Sequence, residues 1–379
     1  MQSSKRATTP QRIERSPGIK KIAEKLGISI GTVDRALHDR PGIHPDTKKR
    51  VMAAAAELGY RPNLAARFLK SGKGLTIAVC LPRAIAHFFD DVRMGVHRAA
   101  EAHGAMVELI DYSFSRFEEG EAAAVEEALK KRVNGIILVP GRPSHARPLI
   151  GKASRCNIPV VCIGSDADGT GRLVHVATDS FSSGALVGEF LGCLNRPLRR
   201  LAVFIGSRGT SDHSEKLRGI QDSVPRHIRL KTTWEVIEAH DNAREAQHLS
   251  EKLLDTSRGL HAVYVATANS LPVLQAMDRR SLLGRIPVIT TDIYPELLPY
   301  LRSGKVLATV YQHPVSQGRI AFDALHRFLV TGVRPAERIL LPPLLVMRSN
   351  LDILLERSRG WSRRSQGAQR SPESVCLKG

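Results

Sequence analysis

Arg35, Thr32, Asp34 and the run Lys48–Lys49–Arg50 carry side chains suited to nucleic-acid chemistry. The two-pronged guanidinium of an arginine matches guanine O6 and N7, a contact worth ~1–3 kcal/mol of base discrimination. Thr32 and the basic run from Lys48 suit phosphate oxygens, which fix register and carry no sequence information. Asp34 has two readings: acceptor for a cytosine amine, or partner for Arg35. With Ile30 and Gly31 these residues form the early exposed positions of one candidate helix. Ser29 before it has the short hydroxyl preferred at an N-cap. A helical hairpin with glycine in its turn also occurs in proteins that never meet DNA, so this pattern alone leaves both readings open.

Those side chains need a frame. Ile19, Ile22, Ala23 and Leu26 follow i, i+3, i+4, i+7 spacing, one apolar helix face. Gly27 then ends that helix, because glycine takes the left-handed C′ conformation cheaply. Val33, Ala36 and Leu37 give the next helix its inward stripe. A third helix, about Pro45–Leu58, packs through Val51, Ala54, Ala55 and Leu58. Ala23 to Ser29 therefore reads as the tight turn of a helix-turn-helix.

From Leu75 onward the pattern changes. Strands are expected at Thr76–Leu81, Met106–Ile110, Gly135–Val139, Pro159–Ile163, Leu201–Ile205, Thr232–Ile237, Ala262–Val265, Pro287–Thr290 and Leu307–Tyr311. Helices are expected between them, among others at Phe89–His103, Gly120–Lys131 and Val315–Leu329. Wholly apolar strands alternating with helices predict parallel sheet covered on both faces. So long a region predicts two similar α/β lobes, with a ligand cleft at the C-terminal strand ends. The fold class is thus α + α/β: a three-helix head, then a two-lobed, doubly wound parallel body.

The charge is unevenly spread. The net charge is +19, and residues 1–74 hold 16 Lys and Arg against 6 Asp and Glu. A basic head on a nearly balanced body points to a polyanion partner. Apolar runs such as Gly135–Pro140 fall far short of the ~20 residues of a membrane helix. The first fifteen residues have no apolar core of a secretory signal. Five cysteines without CxxC spacing fit a reduced cytoplasm, and neither a metal site nor a cofactor is expected. Nucleophile-elbow, phosphate-loop, zinc-protease and dinucleotide signatures are missing, so an enzyme is not expected.

The blocks Ile22-Ala23-Glu24-Lys25-Leu26-Gly27-Ile28-Ser29, Thr32-Val33-Asp34-Arg35-Ala36-Leu37 and Glu57-Leu58-Gly59-Tyr60-Arg61-Pro62-Asn63 resemble, in order and spacing, the head of lactose-repressor (LacI-type) transcription regulators. Asp34 stands where that family usually has Ser, and His44 where the third helix usually has a Ser or Thr cap. The resemblance implies a hinge helix over Leu64–Lys70, with Asn63, Ala66 and Arg67 at the DNA and Leu69 wedged between base pairs in the minor groove. It also implies a homodimer on a palindromic operator in double-stranded DNA.

The body resembles the sugar-binding proteins of bacterial periplasm. Phe88-Phe89, Gly209-Thr210-Ser211, Asp292 and Gln312-x-Pro314-x-x-Gln317-Gly318 carry the resemblance. It implies a sugar or polyol effector held by Asp292, Gln312 and an aromatic platform from Phe88 or Phe89, one of which belongs to the core. Asp292 can accept two hydroxyl protons, and Gln312 offers donor and acceptor. His87, Asp166, His213 and Asn269 are further expected contacts. The departures are Ala86 and His87 for the pattern's Asn and Pro, Ser214 for its clamping Arg, Gly164 for an Asp, and Thr267 for an Asn or Asp. Arg83, Arg142, Arg208 and Lys216 keep a nucleobase or phosphosugar effector open, and a transport solute-binding protein is a further alternative. The expected divisions are a disordered basic arm at 1–17, the DNA-binding domain at 18–60, hinge and linker at 61–74, the effector domain at 75–354 and a disordered tail at 355–379. The tail has no leucine heptad, so a dimer is expected and a tetramer is not.

Overall fold

The computed structural model describes residues 19–37, 42–58, 74–115, 119–194, 196–228, 230–256 and 259–356. The basic arm, the hinge segment with Asn63, Ala66, Arg67 and Leu69, and the tail from residue 357 lie outside the described residues. The expected tail boundary at 355 falls within a helix at 348–356.

The head contains α1 (Ile19–Leu26), α2 (Ile30–Leu37) and α3 (Pro45–Glu57). Ile22, Ala23, Val33, Ala36, Val51, Ala54 and Ala55 are buried together as its core. Every one belongs to the apolar stripes read from the sequence. Gly27 has φ 63 and ends α1 as expected. Its N–H donates to the Glu24 carbonyl at 3.4 Å and the Ile28 N–H to that of Ala23 at 3.1 Å, the paired bonds of a Schellman stop.

The body begins with β1 (Leu75–Pro82), α4 (Ala86–Glu101), β2 (Val107–Phe114), α5 (Glu121–Lys130), β3 (Gly135–Leu138), α6 (Pro143–Arg155), β4 (Val160–Ile163) and β5 (Val174–Thr178). Then come α7 (Ser180–Cys193), β6 (Arg200–Ile205), α8 (Ser211–His227), β7 (Thr233–Glu238), α9 (Ala243–Thr256), β8 (Ala262–Val265), α10 (Leu271–Arg279), β9 (Val288–Thr291), α11 (Leu298–Arg302), β10 (Ala308–Tyr311) and α12 (Pro314–Thr331). The strands β11 (Arg338–Leu341) and β12 (Leu344–Val346) follow.

The strands form two six-stranded sheets, ordered β11-β5-β4-β3-β1-β2 and β12-β10-β9-β8-β6-β7. All pairings in the first are parallel; in the second, β12 runs antiparallel to β10. The chain passes between sheets three times: after β5, after β10, and between β11 and β12. All nine expected strands form, and β2 runs on to Phe114.

Why these strands are apolar throughout is visible in β6. Leu201, Val203 and Ile205 enter one core cluster with Ile220 and Tyr264. Ala202 and Phe204 enter another with Leu274 and Leu301. Side chains alternate between faces, and helices cover both. Among the described residues, no helix is long and apolar enough to cross a membrane.

Candidate functional site

In the head, the residues expected to read DNA lie on and beside α2. Ser29 caps that helix, its hydroxyl accepting the Thr32 N–H at 3.0 Å. The same hydroxyl lies 2.9 Å from that of Thr32. Val33 and Ala36 point inward, which turns Ile30, Gly31 and Arg35 out to solvent. Ile30 remains 46 % exposed. Thr32, Asp34 and Lys48 are half-buried. At α3, His44 takes over the cap: its Nδ1 lies 3.3 Å from the Asp46 N–H, which donates to it.

In the body, a cavity gathers residues from the C-terminal strand ends of both sheets. The first lobe supplies an apolar wall. Phe88 and Phe89 both line it, in edge-to-face contact with centroids 5.1 Å apart. Ile85, ahead of them, holds a left-handed φ of 54, which is rare and strained for a β-branched residue.

The second lobe supplies charge. Asp212, His213 and Lys216 come from the first turns of α8, and Asp241 and Thr267 follow β7 and β8. Lys216 is 2 % exposed. Its ammonium donates to the Ala266 carbonyl at 3.2 Å and stands 3.8 Å from Asp212. Burial raises the Asp212 pKa, but His213 and Lys216 outweigh it and hold the carboxyl below its ordinary range. Nδ1 of His213 accepts the Ser207 N–H at 3.3 Å, which leaves Nε2 to carry the ring proton.

Gln312 and Gln317 meet at the junction of the lobes. Gln317 Nε2 donates to the Gln312 carbonyl at 2.7 Å, and the Thr178 hydroxyl donates to the same carbonyl at 2.5 Å. Gln317 is 1 % exposed and lines the cavity. Its Oε1 has no hydrogen-bond partner among the described residues. A buried acceptor left unpaired costs ~1–3 kcal/mol unless a donor arrives.

The expected contacts divide. Phe88, Phe89, His213 and Gln312 line the cavity. Asp292 stands directly behind Gln312, its carboxylate accepting the Gln312 N–H at 3.0 Å and Nε2 at 2.5 Å. It orients that amide and does not itself line the cavity.

Asp166 is corrected by the structure. Its carboxylate turns away from the cavity to a bidentate pairing with Arg172, with His175 at 3.5 Å and Arg338 at 3.6 Å. Its backbone N–H donates to the Ser211 hydroxyl at 2.6 Å. Asn269 is off the wall too, where Thr267 and Ala268 take the place expected of it. His87 reaches across the cleft instead of lining it. Its Nε2–H donates to the Ala268 carbonyl at 2.9 Å, and its ring lies 4.3 Å from that of Tyr294. Burial holds the His87 pKa below the usual histidine value. Thr178 ends β5 and Asp241 lies in the turn after β7, and both went unread in the sequence because neither has a motif around it. Gln317 was visible within Gln312-x-Pro314-x-x-Gln317 but was not read as a contact. Among the described residues, no group of three His, Cys, Asp or Glu side chains is placed to hold a metal ion.

Comparison with known proteins gives the two parts separate matches. Residues 18–63 match the bacterial regulatory proteins of the lacI family, and residues 77–332 match the periplasmic binding protein domain. Catabolite control protein A of Priestia megaterium is 24 % identical over 69 % of this chain and 77 % of its own length. The transcriptional regulator RegA of Clostridium saccharobutylicum is 35 % identical over 31 % of this chain, which spans only 35 % of RegA. Among solved structures, a solute-binding protein from Burkholderia graminis in complex with D-arabinose aligns with a TM-score of 0.68 at 21 % identity. The alignment covers 74 % of this chain and 97 % of that one. A Bacillus halodurans solute-binding protein with bound myo-inositol gives 0.67 at 21 % identity, over 74 % and 97 % of the two chains.

Proposed function

The chain belongs to the lacI family of bacterial regulatory proteins, a DNA-binding head of that type joined to a periplasmic-binding-protein domain, and on that premise we propose that it is a transcriptional repressor released or engaged by a small neutral polyol. The head reads a palindromic operator through Arg35 and the exposed face of α2, as one half of a homodimer. Asn63, Ala66, Arg67 and Leu69 belong to the same reading by resemblance. The protein works in the cytoplasm and catalyses no reaction.

The observation that carries the effector assignment is Gln317. Gln317 lines the cavity, and its buried Oε1 lacks a donor among the described residues. A sugar hydroxyl supplies one, while Gln312 donates or accepts and the Phe88–Phe89 wall takes the apolar C–H face of a ring. The D-arabinose and myo-inositol named with two similar folds are of this chemical class. Three carboxylates, Asp212, Asp241 and Asp292, stand in or behind the same wall, which disfavours the phosphosugar alternative.

A ligand at 100 times its dissociation constant stabilises the folded state by ~2.7 kcal/mol. A thermal-shift screen over pentoses, hexoses, cyclitols, phosphosugars and purines therefore identifies the class. A neutral sugar or cyclitol raising the melting temperature, and changing protection of an operator near the protein's own gene, is the expected result. Stabilisation by purines or phosphosugars alone, or no protected DNA under any condition, sinks the reading. Light scattering is expected to give a dimer.

A further inference from the structure

His87 ties the two lobes of the body together at the edge of the cavity. It stands in the first turn of α4, in the first lobe, and reaches groups of the second. Its Nε2–H donates to the Ala268 carbonyl, after β8, and its ring lies against that of Tyr294, after β9. The second-lobe side of this contact is firmly held. Tyr294 is 4 % exposed, and its hydroxyl lies 2.6 Å from that of the buried Ser270. The contact is also continuous with the cavity wall. Phe88 and Phe89 follow His87 in the chain, Thr267 precedes Ala268, and all four of these neighbours line the cavity. Parting His87 from Ala268 therefore moves two pieces of one wall apart.

We propose that His87 is a proton-sensitive latch: as a neutral imidazole it holds the lobes closed over the cavity, and as an imidazolium it lets them part. This goes beyond the effector reading and holds whatever ligand fills the cavity.

Nε2–H donates to the carbonyl in both protonation states, so the bond alone does not discriminate between them. Burial does. With the lobes together the ring is half-buried, and with the lobes apart Ala268 and Tyr294 leave it and water takes their place. A charge on the ring in the closed form lacks that water, which disfavours the imidazolium. No side chain caps α4, so the positive end of its dipole also acts on the first turn, where a cation is disfavoured. The charged groups facing the ring are Asp90 on its own helix and Glu296 after β9. Both favour the imidazolium, but both are exposed and screened by water, and burial outweighs them. Burial pushes the Tyr294 hydroxyl up, so it stays neutral. The segment from Thr267 to Ser270 brings no titrating side chain. A histidine whose pKa is lower in the closed than in the open form supports closure fully above the open-form value. That support is withdrawn as pH falls through the ordinary histidine range. Acidification therefore opens the cleft.

Double electron–electron resonance on the full chain tests this without a ligand. Nitroxides are placed on Ala123→Cys in α5 and Gln247→Cys in α9, exposed positions in one helix of each lobe. Cys156, Cys193 and Cys376 are replaced by Ser, and labelled chains are diluted with unlabelled ones. The closed-to-open ratio is expected to fall about threefold or more between pH 7.5 and pH 5.0. His87→Gln keeps an N–H donor but does not titrate, and is expected to give the same distances at both pH values. His87→Ala is expected to be open at both. Circular dichroism melts of the variants check folding. Three results each overturn the latch: wild-type distances that ignore pH, a His87→Gln variant that shifts as the wild type does, or a His87→Ala variant as closed as the wild type at pH 7.5. The second would assign the pH response to another group, such as Asp292. None of them touches the polyol reading, which the thermal-shift screen decides by itself.

Discussion

Asp292 shows how much a single position can hold. It has a left-handed φ of 63, is 2 % exposed, and places both carboxylate oxygens on Gln312. Burial pushes its pKa up to about 6, against the pull of the Gln312 bonds and of Lys216. A folded-state pKa above the ordinary carboxylate value gives stability that is fully present at acid pH and lost as pH rises through about 6. Asp292→Asn removes that dependence while keeping an acceptor for Gln312. Urea unfolding at pH 4.5 and 7.5 is expected to show the wild type gaining on the variant at pH 4.5, on the order of 2 kcal/mol. An unchanged gap between the two pH values would refute the assignment. Asp292 and Gln312 could be placed from the sequence because each directly follows an expected strand, but Asp292, expected to touch the effector, instead holds Gln312. Asp166 and Asn269 misled for a related reason: position relative to a strand end fixes where a backbone goes, not where its side chain turns. Arg172, six residues on, captures Asp166, and nothing in the spacing announces it.

At the level of elements, the strands were readable and the helix crossings were not. Continuous apolar runs marked nine strands because both faces of each sheet are covered. Strand β5 escaped because His175 and Thr178 interrupt its run, and β11 and β12 because their partly exposed residues carry a weak pattern. The glycines that set the crossings carry no periodicity at all. A Cβ on Gly184 would strike the Lys216 carbonyl, and one on Gly219 the Phe181 carbonyl. The pair α4 and α12 repeats this arrangement with Gly95 against Val315 and Gly318 against Val92. These close approaches bring each helix that leaves a sheet onto the opposite lobe, and so bring Lys216 and Gln317 to one cavity. Gly184→Ala is expected to destabilise by at least ~2 kcal/mol, since overpacking against backbone relaxes poorly. Gly151→Ala, also in a helix but with only the tip of Arg155 nearby at 3.6 Å, is the control. It is expected to be neutral or stabilising by up to ~1 kcal/mol. Equal urea midpoints for the two variants would remove the glycines from the account of the fold.

For the whole molecule the deciding quantity is how charge is divided. Of the +19, the first 74 residues contribute more than half, with 16 Lys and Arg against 6 Asp and Glu. The body pairs many of its charges internally, for example Arg93 with Asp90, Lys152 with Glu126 and Arg279 with Glu251. Exposed pairs like these add little stability, but they leave little net field to attract DNA. Each phosphate neutralised by the head releases counterions, so the logarithm of DNA affinity falls with the logarithm of salt at a slope of about −0.9 per contact. The slope should therefore belong almost entirely to the head. The body from Lys73 onward, which keeps core clusters of its own, provides the comparison. Fluorescence anisotropy on operator DNA between 50 and 200 mM salt, the range over which such contacts cost ~10³–10⁵ in affinity, is expected to give a steep slope for the full chain and nearly none for the body. Within the full chain, Lys48→Ala should make the slope shallower by about one unit on every sequence, while Arg35→Ala should relax discrimination at one base pair. A body that retains half or more of the slope would place the DNA-binding charge outside the head.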